Sequence, residues 1–135
     1  MEAATIEAAR AWLRTPKRNL AGGAWLEGGR LVESVNPANG ATLGAVFEAD
    51  GEVVDRAVAA ARSAFEDPRW TRMARRERAA LLRRIGEVAR RHRAELATLI
   101  SLENGKLYRE AYDDDMPDTA DVFDYYAGWT DKHYG

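Results

Sequence analysis

The chain holds two histidines, His92 and His133, and no cysteine. A cysteine nucleophile, a thiolate metal site and a disulfide are therefore excluded by inventory. Neither histidine has a second imidazole four residues away or carboxylates at ligand spacing, so no zinc pair is formed; each reads as a surface or half-buried residue. Asp113, Asp114 and Asp115 are adjacent carboxylates that could attract a hard cation. On a helix such a run fans around the axis instead of converging, and it reads as a solvated face. The glycine pairs in "AGGAW" and "EGGR" lack both the strand-to-helix context of a dinucleotide fingerprint and the lysine of a phosphate-binding loop, so they read as turns. Arg75, Arg76, Arg78, Arg83, Arg84, Arg90, Arg91 and Arg93 crowd one segment, interleaved with Glu77, Glu87 and Glu95. Pairing at i to i+4 and solvent account for them without a phosphate ligand. The residues by themselves supply no catalytic or cofactor-binding constellation.

The whole-chain balance agrees with that. A net charge of −2 over 135 residues carries neither a nucleic-acid footprint nor a polybasic membrane patch. No apolar run approaches the ~18 residues of a spanning helix, and "MEAATIEAAR" lacks the basic, apolar, small-residue order of a secretory signal. The expectation is a cytoplasmic protein with no membrane and no nucleic-acid partner.

The elements that would position these residues follow from their periodicity. Thr5 is placed to cap a first helix carrying Ile6, Ala9, Trp12 and Leu13, and Pro16 ends it. From Asn19 to about Glu48 glycines and short apolar runs alternate. Leu31, Val32 and Val35 suggest one strand, Leu43, Val46 and Phe47 another, and "NPANG" from Asn36 to Gly40 supplies the turn. Beyond Asp50, a capping residue, the period becomes helical: Val54, Ala57, Val58, Ala61 and Phe65 form one stripe, which "EDPRW" interrupts. A second helix from near Met73 shows Leu81, Leu82, Ile85, Val88 and Ala89 on one side. Ala74, at its start, cannot cap it unless Thr71 substitutes. A third helix, after a bend at His92, stops at Gly105, and a last one runs from near Tyr108 to Tyr126 with a kink expected at Pro117. The end, "YYAGWTDKHYG", is too aromatic for the polar, loosely held tail of an ordinary domain.

Several stretches in order resemble the amino-terminal portion of the NAD(P)-dependent aldehyde dehydrogenase superfamily. "VNPANGATLGAVFEADGEVVDRAVAAARSAF" is similar to that family's strand, asparagine-proline turn, strand and first long helix. "RWTRMARRERAALLRRIGEVARRHRAELATLISLENGK" is similar to the next two helices, and "YYAGWTDKHYG" to the aromatic segment beyond them. The resemblance runs from about Asn19 to Gly135, with residues 1–18 as a helix and linker before it.

That resemblance implies an α/β fold in which this segment is mostly helical. Its strands fall at about 19–48 and its helices at about 50–130, an incomplete part of the dinucleotide-binding domain ending before the oligomerisation arm and catalytic domain. The implied reaction of a complete protein converts an aldehyde, NAD(P)+ and water to a carboxylate and NAD(P)H. This chain, lacking the nucleophilic cysteine and the general base, is expected to be an inactive amino-terminal fragment that binds no cofactor alone. A non-catalytic module that binds a dehydrogenase subunit or another protein is the alternative. The complete protein is expected to be a homo-oligomer, dimer or tetramer, acting on an aldehyde substrate with NAD or NADP.

By the same resemblance, backbone oxygens of Ser34 and Val35 and the carboxylate of Glu103 correspond to a monovalent-cation site. Glutamate here replaces a more usual aspartate and lengthens the reach. Asp118 and Val122 correspond to a helix near the mouth of the substrate channel.

Overall fold

The structure, a computed structural model, describes residues 3–132. They fall into two compact units, one made of Arg10–Arg72 and the other of the residues up to Ala9 together with those from Met73 onward. A first helix, α1 (Ala3–Arg14), contributes to both. Thr5 lies inside that helix and does not cap it: the alanines and glutamate around it are strong helix formers, and they carry the helical conformation past it toward the amino terminus. Pro16 falls just beyond the last turn, as expected.

The unit from Arg10 to Arg72 is built on two antiparallel hairpins. Strand β1 (Asn19–Ala21) pairs with β2 (Ala24–Leu26), and β3 (Leu31–Val35) pairs with β4 (Thr42–Phe47). Gly22 and Gly23 make the first turn with φ of 60° and 79°, so the first glycine pair is a turn as read. In the second hairpin the Asn36 side chain accepts from Ala38 N at 2.9 Å, and Gly40, at φ 73°, returns its N–H to Asn36 O at 2.8 Å. Lys17 joins the edge of β4 in parallel, exchanging backbone hydrogen bonds of 2.9 Å with Ala45 and Phe47. The Asn19 side chain donates to Phe47 O at 3.2 Å, tying the two hairpins together.

Helix α2 (Gly51–Glu66) follows, capped by Asp50 and ended at Asp67, which caps the short α3 (Pro68–Thr71) in turn. Its buried contact is Val53, one residue from the stripe marked by periodicity. The stripe itself faces outward: Val54 is 49% exposed, Val58 63% and Phe65 63%. A helix presenting that much apolar surface is one whose covering partner lies elsewhere.

The other unit is helical. It comprises α4 (Arg75–Arg91), α5 (Arg93–Asn104), α6 (Tyr108–Glu110), a π-helical turn (Ala111–Asp115) and α7 (Met116–Ala127). Its core is small: Ala89, Ala97, Ala111, Met116 and Ala120 are buried, with Leu96, Ile100, Tyr108 and Tyr112 packed on them. Alanine at these positions brings helix backbones close together. Gly105 ends α5 in the left-handed conformation at φ 77°, and its N–H returns to Ser101 O.

The apolar stripe expected on α4 is mostly not its buried side: of its residues only Ala89 is buried, beside Ala79 and Gly86, whereas Leu81, Ile85 and Val88 are exposed. Close packing against α7 selects the smallest residues of the helix, because only they admit its backbone. Ala74 carries no capping side chain; the carboxylate of Glu77 accepts its N–H at 3.2 Å, and the Thr71 hydroxyl bonds instead to Asp67 O. The interruption expected at Pro117 falls earlier, in the π turn. Pro117 itself sits in the first turn of α7, where a missing N–H costs least.

Candidate functional site

The π turn is the centre of polar organisation in the helical unit. Arg93, which opens α5, donates from Nε to Tyr112 O at 2.5 Å and from Nη2 to the Asp113 carboxylate at 3.2 Å. Its guanidinium lies over the Tyr112 ring, 3.8 Å from the centroid, and Tyr112 stacks on Tyr108 at 5.5 Å. Burial raises the Tyr108 phenol above its ordinary range, with the neighbouring Tyr112 adding to it. Lys106 donates to Asp115 at 2.6 Å, and that bond holds its ammonium protonated above the usual lysine range. Two members of the aspartate run are therefore ion-paired to cations brought from elsewhere, which corrects the expectation of a purely solvated face. A widened helical turn exposes backbone acceptors that a guanidinium can reach, and Arg93 occupies one.

Arg90 makes the second cluster. Its Nη2 donates to Asp124 at 2.6 Å and to Asp121 at 2.8 Å, both on α7. The hydrogen bond to Asp124, and then that to Asp121, strengthens its hold on the proton. The arginines thus correct another expectation: Arg90 and Arg93 bridge to carboxylates 31 and 20 residues away and not to the next turn of their own helix. His92 stands at the joint between α4 and α5, its Nδ1 2.8 Å from the Glu95 carboxylate, a surface pairing. His133 lies outside the described residues. Among the described residues there is no cluster of three or more His, Asp or Glu side chains able to hold a metal ion. No helix among them is long and apolar enough to cross a membrane.

Asp118 and Val122 are brought together. Both are exposed and stand one turn apart on α7, and the same face continues through Tyr125, Tyr126 and Trp129. The Tyr125 ring meets Tyr126 edge-on at 5.3 Å and Trp129 at 6.0 Å, so this face is an aromatic surface edged by carboxylates. Ser34 and Val35 stand at an irregularity of the second hairpin. Ser34 is opposite Gly44 and Val35 opposite Thr42, which leaves Leu43 without a partner residue in a β-bulge. Glu103 is exposed in the last turn of α5 and belongs to the helical unit, whereas Ser34 and Val35 belong to the unit of hairpins.

The glycine pairs offer no cradle for a dinucleotide. Gly22 and Gly23 turn between antiparallel strands; Gly29, at φ 71°, lies against the Glu48 carbonyl and gives its N–H to the Asp50 carboxylate at 2.8 Å. Neither pair leads from a strand into a helix with free N–H groups, so cofactor binding is not assigned to them.

A hairpin pair followed by an α4–α7 helical unit with an aromatic, acid-edged helix defines a portion of a larger α/β class. Known proteins of that class share it. Residues 25–135 match the aldehyde dehydrogenase family, and the chain belongs to that family. It is 41% identical over 126 residues to aminoacetaldehyde dehydrogenase of Pseudomonas aeruginosa, covering 92% of this chain and 25% of that protein. It is 38% identical over 107 residues to aldehyde dehydrogenase family 2 member B4, mitochondrial, of Arabidopsis thaliana, covering 79% of this chain and 20% of that protein. The solved NAD+ complex of an aldehyde dehydrogenase from Bacillus cereus superposes with a TM-score of 0.90 at 42% identity, over 95% of this chain and 26% of that one. The chain thus spans between a fifth and about a quarter of the length of these relatives.

Proposed function

We propose that this chain is the amino-terminal scaffold of an NAD(P)-dependent aldehyde dehydrogenase. A complete subunit would oxidise an aldehyde, with water, to a carboxylate. The nicotinamide cofactor, NAD or NADP, accepts the hydride when bound. The nucleophilic thiolate must come from outside this chain, which has no cysteine. The observation that carries the reading is the agreement, at 42% identity and over 95% of the chain, with a dehydrogenase solved with NAD+.

Within that function the chain's own residues orient and enclose. The α4–α7 pair, locked by Arg90, holds α7 rigid, and its face of Asp118 and Val122 edges the mouth of the substrate channel. In the complete subunit the backbone oxygens of Ser34 and Val35, and the carboxylate of Glu103, are each ligands of the kind a monovalent cation takes. The protein works in the cytoplasm as a homodimer or homotetramer. A second reading, a non-catalytic module that binds a dehydrogenase subunit or another protein, is favoured by one feature, the outward apolar face of α2.

The test is a chimera in which this chain replaces the matching residues of the Bacillus cereus dehydrogenase. NADH or NADPH formation from an aldehyde series is then followed, with this chain alone as the control. Retained turnover by the chimera and none by the chain alone is the expected result. A chimera that folds yet is inactive, with its other residues unaltered, sinks the scaffold reading and leaves the binding module.

A further inference from the structure

We infer that Arg93 is the positioning residue of α7: it supplies the hydrogen-bond donor that the π turn lacks, and so fixes the phase in which α7 presents Asp118 and Val122. The inference rests on the dehydrogenase reading only for its effect on substrate; the positioning itself stands on the backbone. Ala111 and Met116, five residues apart, both lie in the core of the helical unit. In an unbroken α-helix, residue i+5 stands about 140° round the axis from residue i, so one of the two would leave the core. The π turn removes the conflict, because the Met116 N–H reaches back to Ala111 O and both residues stay buried. From Met116 onward the buried residues return to α-helical spacing, at Ala120 and Ala127. The turn therefore sets which residues of α7 are exposed, Asp118 and Val122 among them.

That step strands one acceptor. In an α-helix Tyr112 O would take the Met116 N–H, but this donor is committed to Ala111 O. In a π-helix it would take the N–H of residue 117, which is proline and has none. Arg93 fills the gap from α5, with Nε 2.5 Å from Tyr112 O. Its Nη2 donates to the Asp113 carboxylate at 3.2 Å, and its guanidinium lies 3.8 Å from the centroid of the Tyr112 ring. Contacts to two successive residues hold the fork in one orientation, which the point charge of a lysine cannot reproduce. Lys106 clamps the same turn, but it bonds the Asp115 carboxylate at 2.6 Å and not the backbone, so it cannot take over at Tyr112 O. Pro117 and Arg93 thus act as a pair, one withholding a donor and the other replacing it.

The chain has no cysteine, so a single introduced thiol reports on the turn without interference. Met116→Cys, at a buried position beside the turn, is labelled with a thiol reagent in the 135-residue chain, each rate being taken relative to the exposed Val122→Cys in the same background. Arg93→Met keeps the apolar stem but leaves Tyr112 O unpaired, and should speed labelling about tenfold. Adding Pro117→Ala returns an N–H able to reach Tyr112 O, and should bring the rate back to within about twofold of the parent. Labelling of Arg93→Met at the parent rate, or no rescue by Pro117→Ala, overturns the inference. Far-UV circular dichroism checks that each variant is folded, and Arg93→Lys carries the same comparison should Arg93→Met unfold. In the chimeric dehydrogenase, Arg93→Met should raise the aldehyde KM about fivefold with kcat held within about twofold, because α7 edges the channel while the nucleophile lies outside this chain. A kcat that falls with KM unmoved is a structural loss alone and overturns the role at the channel mouth. A chimera inactive with Arg93 in place sinks the dehydrogenase reading and leaves the labelling result standing, so the two failures are told apart.

Discussion

Gly86 of α4 lies directly against the backbone of Ala120 in α7: a Cβ built on Gly86 would stand 3.0 Å from the Ala120 carbonyl oxygen and 3.6 Å from the Phe123 Cβ. Glycine in a helix interior costs about 1 kcal/mol relative to alanine, so its place here is bought by the close approach of the two helices. Filling the space must push α7 away and loosen the buried alanines behind it. Gly86→Val should destabilise the helical unit by about 2 kcal/mol, read from urea unfolding followed by circular dichroism. Ala80→Val, at an exposed position of the same helix, controls for β-branching and should cost only a few tenths of that.

A second glycine makes an even closer approach. A Cβ on Gly44, in β4, would run into the carbonyl oxygen of Leu13, itself buried near the end of α1. Backbone against backbone cannot yield as a flexible side chain can. Gly44→Ala should therefore cost about 3 kcal/mol, at the upper end of overpacking. Gly40→Ala tests a different cost, since its φ of 73° is strained for alanine although nothing lies within reach of the new methyl. It should cost roughly 1 kcal/mol. Hydrogen exchange at the amides of β3 and β4 would separate the two: a clash at Gly44 opens the strand, whereas strain at Gly40 stays in the turn.

The start of α4 is under-capped. Ala74 has the extended backbone of an N-cap, and Glu77 already accepts its N–H, but alanine offers nothing to the first free amides of the helix. Ala74→Ser completes the reciprocal pair and should stabilise the helical unit by about 1 kcal/mol. A matching gain from Ala74→Gly, which adds no acceptor, would show that backbone freedom and not the hydroxyl is responsible.

Features set by a few neighbouring residues were legible in the sequence. Asp50 caps α2, Gly105 ends α5, and the Asn36–Gly40 turn closes its hairpin, because each depends on one side chain or one φ angle within a turn of itself. What depends on a distant partner was not. Nothing near Arg90 announces Asp121 and Asp124, and only the three aspartates recurring every three residues on α7 hinted that a cation should face them. The stripe on α4 was misplaced because periodicity follows the larger apolar residues, whereas the close approach of α7 prefers Gly86 to Ile85. The π turn replaced a kink expected at Pro117 for the same reason: Arg93, from another helix, holds the widened turn open. At the candidate site, Asp118 and Val122 were marked by resemblance alone, because Pro117 disturbs the helical phase, and their common exposed face came only with the fold. The irregular pairing beside Ser34 and Val35 left no mark in composition.

Asp50 joins two parts of its unit through one carboxylate, accepting Val53 N–H at 3.0 Å to cap α2 and Gly29 N–H at 2.8 Å to hold the loop before β3. The Val53 hydrogen bond, and then the Gly29 one, lowers its pKa below the ordinary 3.8, since both donors favour the charged form. A folded-state pKa below the unfolded one means the stabilisation is fully present above the ordinary carboxylate range. It fades as pH falls through the depressed value, where the folded state takes up the proton last. Asp50→Ala should lower Tm by about 3–5 °C near neutral pH. Asp50→Asn, which keeps one acceptor for Val53 but cannot hold Gly29 equally well, should lose less. The gap between wild type and either variant should stay constant from pH 8 to about pH 5 and narrow steadily below about pH 4. A gap unchanged down to about pH 2, well below the ordinary carboxylate pKa, would mean that Asp50 acts through shape and not through the charge on its carboxylate.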